Sequence, residues 1–167
     1  MTRYTLSYHN PTAQFLRIDV EFEHSSESPL LVYLPTWRPG RYEIQHFAKR
    51  IRKVRAKTRD GKALIIKKKD LSCWEVERTK SQHICISYEY YAGLMDAGNS
   101  WLDQEQLYVN FINCLMYSQS SGNAPCEVLL TLPNDYSIAS GLKKIGKHHL
   151  IAPDYNVLVD SPMVASK

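Results

Sequence analysis

No stretch of about eighteen apolar residues occurs in the 167-residue chain, so nothing in it reads as a membrane-spanning helix. The opening residues, Met-Thr-Arg-Tyr-Thr-Leu-Ser-Tyr-His, lack the uninterrupted apolar core of a secretory leader. A soluble, unexported, cytoplasmic protein is the expectation. Cysteine pairs of the Cys-x-x-Cys kind are also missing. Cys73, Cys85, Cys114 and Cys126 stand singly in apolar, strand-like surroundings, which predicts reduced buried thiols, although an even count is compatible with pairing. None of the six histidines is followed by glutamate, so the His-Glu-x-x-His helix of zinc peptidases is absent. His148 and His149 are the one close pair, and neighbours on a strand point to opposite faces, which is wrong for chelating one metal. Gly-x-Ser-x-Gly, Gly-x-Gly-x-x-Gly and phosphate-cradling glycine loops do not occur, which removes the common hydrolase and nucleotide-binding fingerprints. Helix-length periodicity is missing as well.

What is present points to strands. The chain is 44% apolar and 23% charged, with eleven tyrosines, and its length suits one domain that buries its own core. Residues 14–23 carry the cleanest alternation: Leu16, Ile18, Val20 and Phe22 against Arg17, Asp19, Glu21 and Glu23. Residues 83–91 alternate in the same way. Short strands are also predicted at 4–8, 30–34, 51–58, 63–67, 73–77, 126–132, 136–139 and 148–152, with turn signals every eight to twelve residues. Residues 45–50 fit a single helical turn, and 107–117 fit a strand or a short helix. The predicted fold is all-β, an antiparallel β-sandwich of about nine to ten short strands with little helix.

Charge is unevenly spread. Residues 49–69 hold 11 of the 21 lysines and arginines against Asp60 alone, a net +10 in a chain whose total is +4. Arg59-Asp60-Gly61-Lys62 marks this segment as a hairpin. Its bases alternate with smaller or apolar residues, as on a solvated strand face, and base-stacking aromatics are absent, so a solvated face or an acidic protein partner is favoured over nucleic acid. Residues 92–104, with Gly93, Asp96, Gly98, Asn99, Ser100 and finally Trp101, form a candidate functional loop.

Residues 34–47, Leu-Pro-Thr-Trp-Arg-Pro-Gly-Arg-Tyr-Glu-Ile-Gln-His-Phe, are the most specific stretch. Pro39 presets position i+1 of a type II turn and Gly40 supplies the positive φ needed at i+2. Trp37 and Tyr42 flank the corner, and Arg38, Arg41 and His46 add polar groups. Two roles fit: a packed aromatic corner that locks strands, or a loop that contacts another domain.

This corner, Trp74, the Tyr88-x-Tyr-Tyr-Ala92 strand end, Phe111-Ile-Asn and the closing Tyr155-Asn-Val-Leu-Val-Asp-Ser-Pro162 together resemble the N-terminal domain of the glycyl aminopeptidases, metallopeptidase family 61, in the family's order. Arg41 and His46 depart from it, at positions where a small residue and an arginine are usual. The resemblance implies a non-catalytic β-sandwich over residues 1–160, with 161–167 starting a linker to a catalytic domain. That domain would carry the zinc, so no cofactor, catalytic residue or metal ligand is expected in this chain. Its implied partners are its own C-terminal catalytic domain and that enzyme's peptide substrate, with neither nucleic acid nor membrane. Trp37, Pro39, Gly40 and Tyr42 would be the fold-defining or domain-contact corner, and Arg38, Arg41, His46 and Trp101 further contact residues.

Overall fold

The computed structural model describes residues 1–24, 28–41, 43–96 and 98–167. Sixteen strands and one short α-helix occur among them: β1 (Thr2–Ser7), β2 (Phe15–Glu23), β3 (Leu30–Tyr33), β4 (Ile51–Thr58), β5 (Ala63–Leu64), β6 (Ile66–Lys68), β7 (Cys73–Val76), β8 (His83–Tyr91), β9 (Trp101–Leu102), β10 (Gln106–Val109), β11 (Tyr117–Ser118), β12 (Cys126–Leu130), β13 (Ser137–Ser140), β14 (Lys143–Gly146), β15 (His149–Ala152), α1 (Tyr155–Val159) and β16 (Met163–Ser166). The excess over the expected nine or ten comes largely from two- to four-residue pieces that sequence periodicity is too short to show. One sheet has eight strands in the order β14-β15-β12-β1-β2-β8-β4-β5; two four-stranded sheets run β13-β16-β10-β9 and β11-β3-β7-β6. Neighbours are antiparallel except β1 and β12, which are parallel. The result is an all-β, sandwich-like fold, as the alternation predicts.

The alternation in β2 and β8 explains why the large sheet has a dry side. Leu16, Ile18, Val20 and Phe22 lie opposite Tyr90, Tyr88, Ile86 and Ile84, and all eight are buried. Fully burying each such side chain contributes about 1.5–3 kcal/mol relative to leaving it in water. The other side is a solvated charge ladder. Arg17 donates to Asp19 through two nitrogens, each at 2.9 Å, and the Ser87 hydroxyl donates to Asp19 at 2.6 Å. Burial alone would raise the Asp19 pKa, but the hydrogen bonds from Arg17 and Ser87 outweigh it and hold the carboxyl below its usual range.

Residues 107–117, open to strand or helix on sequence, contain both strand and tight turn: β10, a 3-10 turn at Phe111–Asn113 and then β11. This stretch passes through the interior, so its backbone polar groups need partners. Tyrosines provide them. Tyr4 donates to the Met116 carbonyl at 2.9 Å, Tyr155 to the Leu115 carbonyl at 2.7 Å and Tyr88 to the Cys114 carbonyl at 2.7 Å, and Tyr88 also accepts from the Met116 amide at 3.1 Å. Burial raises all three phenols well above their ordinary pKa, so they stay protonated and able to donate.

Two boundaries differ from expectation. Residues 163–166, expected in a linker, form β16, a strand that pairs with β10 on one side and β13 on the other. Met163 and Ala165 fill the core, a demand that the terminal position did not reveal. The second limb of the basic hairpin, expected as one strand over 63–67, is split. β5 pairs with β4 in the large sheet, and β6 pairs with β7 in another. The expected turn at 45–50 is a 3-10 turn over Phe47–Arg50.

Candidate domain-contact surface

The Pro-Gly corner is a β-turn in which the Arg41 amide donates to the Arg38 carbonyl at 3.3 Å and Gly40 has φ of 79°. That φ is what position i+2 of a type II turn requires. Thr36 and Gln45 close the corner behind it, since the Gln45 amide donates to the Thr36 carbonyl at 2.5 Å. Trp37 is not packed inside: 60% of its surface is exposed, and Ile44 is exposed beyond it. Tyr42 lies outside the described residues. Pro39, Gly40, Arg41 and His46 are exposed as well.

The same corner reaches the loop at 92–104. The Arg38 guanidinium lies against Gly98, so closely that a β-carbon there would collide with it. Arg50, on the turn that follows the corner, donates to the Asn99 side-chain oxygen and, at 3.3 Å, to the Tyr90 hydroxyl. The loop is further held from inside. Asn113 donates to the Gly98 carbonyl at 2.6 Å, and the Asn110 amide donates to the Ser100 hydroxyl at 3.1 Å. Asp96 accepts from the Gly98 amide at 2.7 Å and from the Asn99 side chain, and these bonds, Asn99's first, keep its carboxyl below the ordinary range. Burial pushes the Tyr90 phenol up to about 12. The two loops singled out in the sequence are therefore one structural unit.

Beside that unit lies a mainly apolar groove of about 640 Å³, bordered by Pro35, Trp37, Pro39, Ile112, Tyr117 and Val157. Val157 belongs to α1, and 41% of its surface is exposed. α1 starts where the Asp154 carboxylate accepts from the Val157 amide at 2.9 Å. The groove floor is braced by the rings of Tyr117 and Tyr155, whose centroids are 4.9 Å apart. Of the residues proposed from sequence, Trp37 and Pro39 border the groove and Arg38 ties the corner to the neighbouring loop. Gly40, Arg41 and His46 are outside its lining. Trp101 sits in β9 with its indole nitrogen donating to Asp103 at 2.7 Å. Sequence reading passed over Ile112, Tyr117 and Val157; the helix-capping Asp154 was the signal that could have placed Val157.

Among the described residues no three His, Cys, Asp or Glu side chains are grouped to hold a metal. His148 donates to or accepts from the Tyr136 carbonyl at 3.1 Å, whereas His149 faces Glu127 at 3.9 Å, so the adjacent pair diverges. All four cysteines are free. Burial pushes Cys126 up to about 11 and Cys114 higher still, the opposite of what a thiolate nucleophile needs.

The family model for the Peptidase M61 N-terminal domain matches residues 3–167. No curated protein matches the sequence. Among solved structures, an aminopeptidase N family protein from Idiomarina loihiensis superposes on all of this chain with a TM-score of 0.91 at 24% identity, with 29% of that protein covered. An M1 zinc metallopeptidase from Deinococcus radiodurans superposes with a TM-score of 0.53 at 13% identity, with 99% of this chain and 41% of that one covered. At these identities the likeness is one of fold, and the chain spans less than half the length of either neighbour.

Proposed function

Since the chain belongs to the Peptidase M61 N-terminal domain family, we propose that it is the non-catalytic β-sandwich of a zinc-dependent, glycyl aminopeptidase-like enzyme. It docks on a catalytic domain through the groove beside Trp37 and walls one side of the cleft that receives the peptide substrate. The observation that carries this reading is an indole 60% exposed at the rim of an apolar groove in a chain whose other apolar side chains largely fill a core. A large aromatic left in water on a rigid mount is the usual form of a contact anchor.

The zinc of such an enzyme does not fit the residues present here, because the described residues offer no cluster of ligands. We assign the metal to the catalytic domain. This chain's part is positional: the three tyrosine hydroxyls fix residues 114–116 behind the groove, and Asn113 and Arg50 hold the loop beside the corner, so that docking orders few further groups. Four free thiols accord with a cytoplasmic setting. No helix among the described residues is long and apolar enough to cross a membrane.

Zinc analysis of the purified chain, together with assays on glycyl and alanyl substrates, tests the division of labour. The chain is expected to hold no stoichiometric zinc and to release no amino acid. Zinc bound one to one with turnover would overturn the non-catalytic assignment.

A further inference from the structure

The basic hairpin carries a second surface, on another edge of the molecule. On one side β4 pairs with β8. On its other side Ala56 and Lys57 pair with β5 and the Thr58 amide donates to the Lys62 carbonyl at 2.9 Å, before the chain crosses to the opposite sheet as β6. Among the described residues, positions 51–55 therefore have no strand on that edge. The ladder with β8 is also irregular between Arg52 and Arg55, and Lys53 there has φ of 55°, in the left-handed region. A groove of about 730 Å³ runs between this edge and the crossing segment.

A bulge and lysines at an edge are ordinary protection against aggregation. Protection does not require the other features. Ile65 lies in the groove wall with 57% of its surface exposed, beside Leu64 and Ile66. The charge there is only partly offset: Lys57 is close enough to Asp19 to help lower its pKa without forming an ion pair. Glu89 is the acid in the lining, and it is already bonded by Arg52 at 2.7 Å and Lys53 at 2.9 Å. Arg55 and Lys57 have no carboxylate within ion-pair distance among the described residues.

We infer that this groove takes an extended protein segment of alternating acidic and apolar residues, added as a strand along β4 with its carboxylates toward Arg55 and Lys57 and its apolar side chains toward Ile65. A strand presents successive side chains on opposite faces, so that alternation is what an edge with basic groups on one side and apolar groups on the other selects. Backbone pairing along positions 51–55 supplies the register, and the bases supply the sign of the partner.

Fluorescence anisotropy with a labelled Glu-Val repeat peptide tests this in low-salt buffer, alongside a Lys-Val repeat, a Glu-Val peptide N-methylated at every second residue, and a single-stranded DNA oligonucleotide. The Glu-Val peptide is expected to bind, with affinity falling as salt rises and by about tenfold or more in the double variant Arg55→Glu/Lys57→Glu. The N-methylated and Lys-Val peptides are expected not to bind, and amides 52–55 to exchange more slowly in the complex. If the double variant melts early, Arg55→Gln replaces it, with a loss of about threefold expected. Absence of Glu-Val binding, equal binding of the N-methylated peptide, unchanged affinity in a folded variant, or DNA binding more tightly than the peptide would each overturn the inference.

Discussion

The corner end and the hairpin edge expose comparable volumes of groove and are built on opposite principles. At the corner, apolar side chains stand on a frame whose polar atoms are tied inward: Tyr88 alone bonds two backbone groups of the buried 114–116 segment, and Arg50 and Asn113 hold the adjoining loop. At the hairpin, positions 51–55 have no strand on one edge among the described residues and the side chains are exposed bases, several of them paired with Glu89, Glu21 and Glu75. The first arrangement suits a fixed, salt-insensitive contact between domains. The second suits a contact formed and released by ionic strength and partner charge. One chain thus carries two surfaces whose physics differs more than their shapes do.

The comparison breaks most severely if the frame under the corner is removed. Tyr88→Phe deletes one hydroxyl and leaves the Cys114 carbonyl and the Met116 amide without that partner in the interior. It is expected to cost about 1–3 kcal/mol for each buried group left unsatisfied, read by urea unfolding. Tyr155→Phe strands only the Leu115 carbonyl and should cost less. Equal small losses for both would mean that water enters 114–116 and that the frame is not rigid.

Gly40→Ala comes next. A β-carbon at Gly40 would meet nothing within 4 Å, so any penalty is conformational, from holding alanine at φ of 79°. About 1–2 kcal/mol is expected, and an unchanged melting temperature would argue against the turn. Gly98→Ala differs, because there the added carbon meets the end of the Arg38 side chain, which can swing away. Its cost in stability should be small, yet Arg38 should be released from the loop. In a double-mutant cycle, Arg38→Ala and Gly98→Ala are therefore expected to be non-additive.

These variants also show how far the residues alone could be read. Period-2 alternation in residues 14–23 and 83–91 gave the two long central strands, since both have one wet and one dry side. Pro39-Gly40 gave the turn because its chemistry is local, and Asp60-Gly61 gave the hairpin for the same reason, with φ of 93° at Gly61. Residues 111–116 defeated the reading because a buried, irregular segment has no period, and its stability comes from tyrosines more than twenty residues away in sequence. The exposure of Trp37 was equally hidden, since composition does not say whether an aromatic corner faces in or out. That residues 34–47 and 92–104 meet depended on Arg38 and Arg50, charged residues whose reach no local pattern encodes.

A smaller effect concerns pH on the solvated face. Asp19 has its pKa depressed in the folded state, so its contribution is present above the ordinary aspartate range and is lost as pH falls through the folded value. Wild-type stability should therefore fall on acidification below the usual carboxylate range. Asp19→Asn should flatten that part of the curve, as measured by thermal melts across acidic pH. An identical slope in the variant would show that Arg17 and Ser87 do not set it.

Least visible in stability, and most telling for function, is Trp37. Because its ring is mostly in water, Trp37→Asp is expected to change folding stability by no more than about 0.5 kcal/mol. The direct measurement is titration calorimetry of the chain against the M61-type catalytic domain that the proposed function joins to it, with wild type and Trp37→Asp compared at low and high salt. Docking through the corner groove requires binding that salt barely alters and that the variant weakens by at least about tenfold. Equal affinity of the two proteins, or binding that vanishes as salt rises, would place the domain contact elsewhere.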